Sequence, residues 1–215
     1  MKLSAQYMEK ENNSENVKKT QTVDTYITHA AAFAEKFDVI GARTEDIEKV
    51  FSYKQEISNP VTLEIGCGNG RDALEITKHT QNYLGIDISP AFIEMARQKV
   101  TGGHFEVADI ESFQFPEKYD IVISFASLLH EDKTKLANIL NRVSENLKPL
   151  GILKLSLKYG EYQEVREQNE LGVRFFYFYT PEDIKNMIGD RFTVLEEKIQ
   201  NVRNASWTEM TLQKS

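Results

Sequence analysis

Residues 61–70 read Val-Thr-Leu-Glu-Ile-Gly-Cys-Gly-Asn-Gly, and this stretch restricts the fold of the chain more than any other. Val61, Leu63 and Ile65 alternate as a short strand that carries an acid, Glu64, near its carboxyl end. The strand then breaks into a turn with glycine at every second position: Gly66, Gly68 and Gly70. Glycine reaches backbone angles that other residues avoid, and without a Cβ it lets a ligand lie against the main chain. A strand, such a turn and a following helix form the nucleotide-binding corner of an open α/β sheet.

The rest of the chain supports that architecture. From Val61 onward strand and helix signals alternate, with strands expected at 61–65, 82–86, 104–108, 119–124 and 151–157. Helices are expected at Arg71–His79, Pro90–Val100 and Thr134–Leu147; the last has Leu136, Ile139, Leu140, Val143 and Leu147 as one apolar stripe. Ser89 before Pro90 reads as an N-cap and first-turn proline. This alternation predicts an α/β fold, a doubly wound parallel sheet with helices on both faces. Thr180-Pro181-Glu182-Asp183 opens a further helix, followed by strand-like stretches at 192–199 and about 205–212 joined by Asn201–Asn204. That closing hairpin adds an antiparallel strand.

At 215 residues the chain suits one domain with a small cap. Residues 1–20 are polar, and a flexible lead is expected there. Residues 21–57 read as a helical cap. Val23, Tyr26, Ile27, Ala30, Ala34 and Phe37 share one helical face, and Thr44 opens a second helix with Ile47, Val50 and Phe51 inside. Residues 58–215 form the main domain, with a lid-like insertion at 158–179. The charge mix at Glu161–Glu170 reads as a solvated helix face.

Thirty-three acids against 26 bases give a net charge of −7, which disfavours nucleic acid as a partner. No apolar run approaches the roughly 20 residues needed to span a bilayer, and Met1–Thr20 lacks the apolar core of a secretory signal. A single cysteine fits a reducing compartment, so a cytoplasmic location is expected. The four histidines and Cys67 show no metal-ligand spacing, and no metal is expected.

Three further features fall at the carboxyl ends of successive strands, where open α/β sheets bind ligands. Asp87 closes Tyr83-Leu84-Gly85-Ile86-Asp87 and can accept both hydroxyls of a ribose. Asp109 follows His104-Phe105-Glu106-Val107-Ala108, where it can accept from an adenine amine beside the backbone of Ile110. Ser124-Phe125-Ala126 ends the fourth strand. With Leu63–Gly70, Gly85–Ser89, Ala108-Asp109-Ile110, Tyr119–Ser124 and the turn Leu147-Lys148-Pro149-Leu150-Gly151, this series resembles the class I S-adenosylmethionine-dependent methyltransferases from about Val61 to Leu212.

The resemblance implies a Rossmann-like, mostly parallel seven-stranded sheet with an antiparallel last strand. Its cofactor would be S-adenosylmethionine, leaving as S-adenosylhomocysteine. Gly66, Cys67, Gly68 and Gly70 would pass the methionine part, and Glu64 would hold the amino group directly or through water. Asp87 would take the ribose, Ile88 a face of the adenine, and Asp109 and Ile110 its edge. Ser124 and Phe125 would lie near the sulfonium, and Tyr26 or Arg43 from the cap would reach the methionine carboxylate. His130, after the fourth strand, is the candidate general base; it can equally belong to the first turn of the next helix. The aromatic run Phe175–Tyr179 either walls an apolar acceptor or finishes the core or a homodimer contact.

The function so implied is methyl transfer to a small-molecule acceptor. Two alternatives stand beside it: a non-catalytic S-adenosylmethionine-binding interaction module, and an NAD-dependent oxidoreductase. The G-x-G-x-G spacing departs from the G-x-G-x-x-G usual in NAD enzymes.

Overall fold

The computed structural model describes the main chain of residues 2–202 and 205–215, and side chains from Ser14 onward. Five parallel strands form the centre of the sheet: β1 (Thr62–Ile65), β2 (Tyr83–Asp87), β3 (His104–Val107), β4 (Tyr119–Phe125) and β5 (Leu147–Tyr159). Their order is β3-β2-β1-β4-β5, so the chain runs outward in one direction, returns past β1 and continues in the other. This reversal creates a crevice at the carboxyl ends of β1 and β4, where such sheets bind ligands. β1 and β4 are buried along their whole length, as strands covered on both faces must be.

The closing hairpin is present as β8 (Phe192–Val202) and β9 (Ala205–Lys214). β9 runs antiparallel to both β5 and β8, so the expected seven strands with an antiparallel last member are all found. Part of the connecting segment Asn201–Asn204 lies outside the described residues. Two more strands bring the sheet to nine: β6 (Gln163–Asn169) and β7 (Gly172–Tyr179) form an antiparallel hairpin inside the expected insertion. β7 pairs parallel with the end of β5, through Lys158 opposite Phe178 and Tyr159 opposite Tyr179. The segment expected as a lid therefore extends the sheet. The helix expected at Glu161–Glu170 is instead the edge strand β6, where charged side chains suit an exposed edge.

Helices cover both faces. α5 (Pro90–Lys99) begins as expected, with Ser89 Oγ accepting from the Phe92 N–H and Pro90 in the first turn. α6 (Lys133–Asn146) buries Leu136, Ile139, Leu140 and Val143, and Asp132 caps it. α7 (Pro181–Ile188) carries the capping box of Thr180 and Asp183. After the glycine turn the helix is shorter than Arg71–His79, with only Ala73–Ile76 (α4) in regular form.

The amino-terminal region differs most from expectation. In place of a flexible lead over 1–20, α1 is continuous over Lys2–Thr28, followed by α2 (Ala30–Ile40) and α3 (Thr44–Ser52). α1 docks through hydroxyls as much as through an apolar stripe. Thr22 Oγ1 accepts from the Phe175 N–H (3.1 Å); Thr25 Oγ1 accepts from the Val173 N–H (3.1 Å) and donates to the Val173 carbonyl (2.7 Å). Ile27, expected on the inner face, is 41% exposed, whereas Thr22 and Thr25 are buried. α1 thus adds a layer over β7 and across the carboxyl rim.

Candidate functional site

A cavity opens at the carboxyl ends of β1, β2 and β4, roofed by α1 and α2. The glycine turn forms its floor. Gly66 has φ +75°, and a Cβ there would fall on the Ser127 side chain, so this turn closes against the segment after β4 only with glycine. At Gly68 (φ +53°) the nearest side chain is Phe37, 3.9 Å from where a Cβ would stand, which leaves the backbone open to the cavity. Ala126, also at the cavity, holds φ +52° without being glycine. Such backbone strain is typical of functional sites.

Asp87 faces the cavity with both carboxylate oxygens anchored: the Gly68 N–H donates to Oδ2 (2.9 Å) and the Ser89 N–H to Oδ1 (2.8 Å). Each oxygen keeps a lone pair for a second donor. Burial pushes its pKa up to about 6, against those two N–H bonds, which favour the ionised form. Ile88, Asp109 and Ile110 continue the wall on this side. Lys19 of α1 reaches in and pairs with Asp109 (2.7 Å) and with Glu111, and its charge also lies 3.8 Å from Glu131. Burial raises Glu131 to about 7, opposed mainly by Lys19.

At the other end, two buried polar atoms have no hydrogen-bond partner among the described residues: Asn69 Oδ1 and Arg71 Nε. Both residues line the cavity beside Gly68. An acceptor and a donor left open there match the ammonium and carboxylate of an amino acid. Together with the bare backbone of Gly68 and the anchored Asp87, they fit the methionine and ribose parts of S-adenosylmethionine.

The far wall carries a hydrogen-bonded chain. Arg174 Nη1 donates to Tyr26 Oη (3.1 Å), which lies 3.0 Å from His130 Nε2, and His130 Nδ1 lies 2.6 Å from the Phe175 carbonyl. A carbonyl can only accept, so Nδ1 holds the hydrogen, and Nε2 of the neutral ring accepts the Tyr26 hydroxyl proton. Burial lowers His130 to about 4, which keeps the ring neutral. Phe37, Phe92 and Phe125 add apolar surface.

Of the residues expected at the site, Tyr26, Gly66, Cys67, Gly68, Asp87, Ile88, Asp109, Ile110, Phe125 and His130 line the cavity. Four do not. Glu64 lies one layer behind, 2% exposed, accepting from Tyr83 Oη at 2.5 Å; burial pushes its pKa up to about 8. Gly70 packs instead on α5, where a Cβ would stand 3.0 Å from Ala96 Cα. Ser124 alternates with Phe125 along β4, so with Phe125 at the cavity its fully buried hydroxyl faces the opposite side. Arg43 donates to Glu209 (2.9 Å) and stacks on Phe125 (4.9 Å); neutralising that buried acid takes it away from the cavity. Cys67 is buried and its thiol is held protonated by desolvation, so it is no nucleophile. Sequence reasoning missed Lys19, Thr22, Asn69, Arg71 and Glu131. Asn69 and Arg71 were within reach, since they flank Gly70.

Among the described residues there is no group of His, Cys, Asp or Glu able to hold a metal. Nor is any helix among them long and apolar enough to cross a membrane.

Comparison with known proteins agrees with this geometry. A family model for a methyltransferase domain matches residues 62–151, from β1 and the glycine turn through β4 to the start of β5. The chain is 28% identical over 190 residues to malonyl-[acyl-carrier protein] O-methyltransferase 2 of Ilyobacter polytropus, covering 83% of this chain and 69% of that protein. It is 29% identical over 116 residues to the ubiquinone biosynthesis O-methyltransferase of Rickettsia bellii, about half of each chain (51% and 47%). In fold it is similar to 1,6-didemethyltoxoflavin-N1-methyltransferase of Burkholderia thailandensis, solved with its acceptor and S-adenosylhomocysteine bound. The TM-score is 0.67 at 14% identity, covering 88% of this chain and 85% of that one. Residues 62–151 thus match a methyltransferase domain, and the fold is that of S-adenosylmethionine-dependent methyltransferases of known structure.

Proposed function

We propose that this protein transfers a methyl group from S-adenosylmethionine to a small-molecule acceptor, releasing S-adenosylhomocysteine. The observation that carries the reading is the roofed cavity, whose open polar groups follow the cofactor's own sequence of charges. Asn69 Oδ1 and Arg71 Nε stand at the amino-acid end, Asp87 at the ribose, and Asp109 with Ile110 at the adenine edge. For adenine to use Asp109, Lys19 must yield that carboxylate and keep Glu111 and Glu131. Glu64 is held behind the turn, so it acts on the amino group through an intervening polar group rather than by direct contact.

The bound cofactor supplies a methyl group on a sulfonium, which is already a good leaving group. The chain contributes orientation and exclusion of water. Tyr26, Phe37, Phe92 and Phe125 wall the cavity, and positioning of two reactants can be worth about 7–11 kcal/mol. His130, the candidate general base, suits that role poorly. With a pKa near 4 and Nε2 occupied by Tyr26, it receives a proton poorly, so it serves better to hold the Tyr26 hydroxyl in place. An acceptor that arrives already deprotonated suits such a site.

The roof of α1 and α2 over the cavity and the net charge of −7 favour small acceptors over nucleic acid. The test is methyl transfer from isotopically labelled S-adenosylmethionine, offered separately to a filtrate of small metabolites, to total protein and to total nucleic acid. Label in the metabolite fraction is expected. Label confined to either macromolecular fraction would overturn the small-molecule assignment.

A further inference from the structure

Beyond the cavity, at the end of β5, Lys158 stands directly opposite Trp207 of β9 and Phe178 of β7. Residues paired across strands project from the same face, so these three side chains meet. The Lys158 ammonium lies 5.3 Å from the Trp207 ring centre, 5.7 Å from Phe178 and 5.1 Å from Phe176. Two other cations share these rings: Arg43 stacks on Trp207 at 5.8 Å and Arg174 on Phe176 at 5.0 Å. Arg43 is neutralised by Glu209 and Arg174 by Glu167. Lys158 has no carboxylate in ion-pairing distance among the described residues.

Half-burial without a counterion is costly for an ammonium. Desolvation lowers the Lys158 pKa, with Arg174 acting in the same direction and Glu167 against it. Aromatic faces offset part of this cost, and an arriving anion would offset more.

The position adjoins the methyl-transfer site. Phe125, which lines the cavity, pairs with Ser156, two residues before Lys158 on the same face of β5. At roughly 3.3 Å per residue, Lys158 lies about 7 Å further along the strand, within the span of a small molecule. Phe176 links the two places as well, since its ring centre is 4.9 Å from that of His130.

We infer that the methyl acceptor is an organic acid with an apolar body, whose carboxylate pairs with Lys158 while its body lies along Trp207 and Phe176 toward Phe125. This rests on the reading of the cavity as a methyl-transfer site. Lys158 anchors the acceptor and takes no part in the transfer itself.

Trp207 is the only tryptophan in the chain, so its fluorescence reports on this site alone. The test titrates the protein with benzoate, phenylacetate and hexanoate, and in parallel with benzamide and inorganic phosphate, with and without S-adenosylhomocysteine. At least one of the three acids should give a saturable change, at least about tenfold tighter than benzamide or phosphate. Lys158→Met should weaken that acid about tenfold or more while Lys158→Arg retains most of the affinity. The thermal shift produced by S-adenosylhomocysteine should be unaltered in both variants, which also shows that they are folded. The inference is overturned if none of the acids binds, if benzamide or phosphate binds as well, or if Lys158→Met leaves acid affinity unchanged. Failure of S-adenosylhomocysteine to stabilise the unmodified protein would instead strike the cofactor reading, and the acid titration without it would remain readable.

Discussion

On the proposed reading Asp87 ties the glycine turn to the sugar of the cofactor, so its protonation should control affinity. Its ordinary value of 3.8 is raised to about 6 by burial. Ribose hydroxyls donate to the ionised carboxylate, so affinity should follow the ionised fraction. For a pKa of about 6 that fraction is about nine-tenths at pH 7 and about one-tenth at pH 5, a loss of roughly tenfold in S-adenosylhomocysteine affinity. Stability without ligand should move the other way. The folded value lies above the ordinary one, so this group favours the folded state fully below about pH 4, and that contribution is lost as pH rises through about 6. Asp87→Asn replaces one acceptor oxygen with a donor, which must face either the Gly68 or the Ser89 N–H and cannot bond it. It also removes the charge to which the ribose hydroxyls would donate; losing a hydrogen bond to a charged group costs about 1.5–3 kcal/mol, or about 10- to 100-fold in Kd at pH 7. Calorimetric titration between pH 5 and 8 measures both effects, with thermal melts confirming the fold. A variant that binds as tightly as the unmodified protein, or an unmodified protein whose affinity does not fall toward pH 5, would refute the ribose role.

Other perturbations follow from the same geometry. Gly66→Ala places a methyl on Ser127 at a φ of +75°, so it should cost about 1–3 kcal/mol in denaturant melts and abolish detectable S-adenosylhomocysteine binding. Because the Glu64 pKa is raised to about 8, the stability it allows is full below about pH 4.5 and lost as pH rises through 8. Glu64→Gln should therefore melt higher than the unmodified protein at pH 9, with the difference shrinking toward pH 5. Lys19→Met removes the cation that occupies Asp109, so stopped-flow association of S-adenosylhomocysteine should quicken; a slower rate would show that Lys19 assists entry.

Features encoded within a few residues were the legible ones. The glycine turn, Asp87, Asp109 and the Ser89-Pro90 cap each depend on neighbours in the chain, and each stands where the spacing predicts. Long-range pairing was not legible. Arg43 goes to Glu209, 166 residues away, and Lys19 reaches Asp109 across 90. Neither partner is implied by local pattern. The docking of α1 was only partly legible, because Thr22 and Thr25 bond a strand's backbone and the apolar stripe through Val23 and Tyr26 does not reveal those contacts. β6 resembled a helix face because an edge strand tolerates charge along most of its length.

On the proposed reading, the cavity beneath α1 is the S-adenosylmethionine site. Calorimetric titration of the purified protein at pH 7.5 with S-adenosylhomocysteine, and separately with NADH, tests it most directly. Saturable binding of one S-adenosylhomocysteine per chain, with no heat from NADH, is the predicted result. A folded sample that ignores S-adenosylhomocysteine, or that binds NADH in its place, would contradict it.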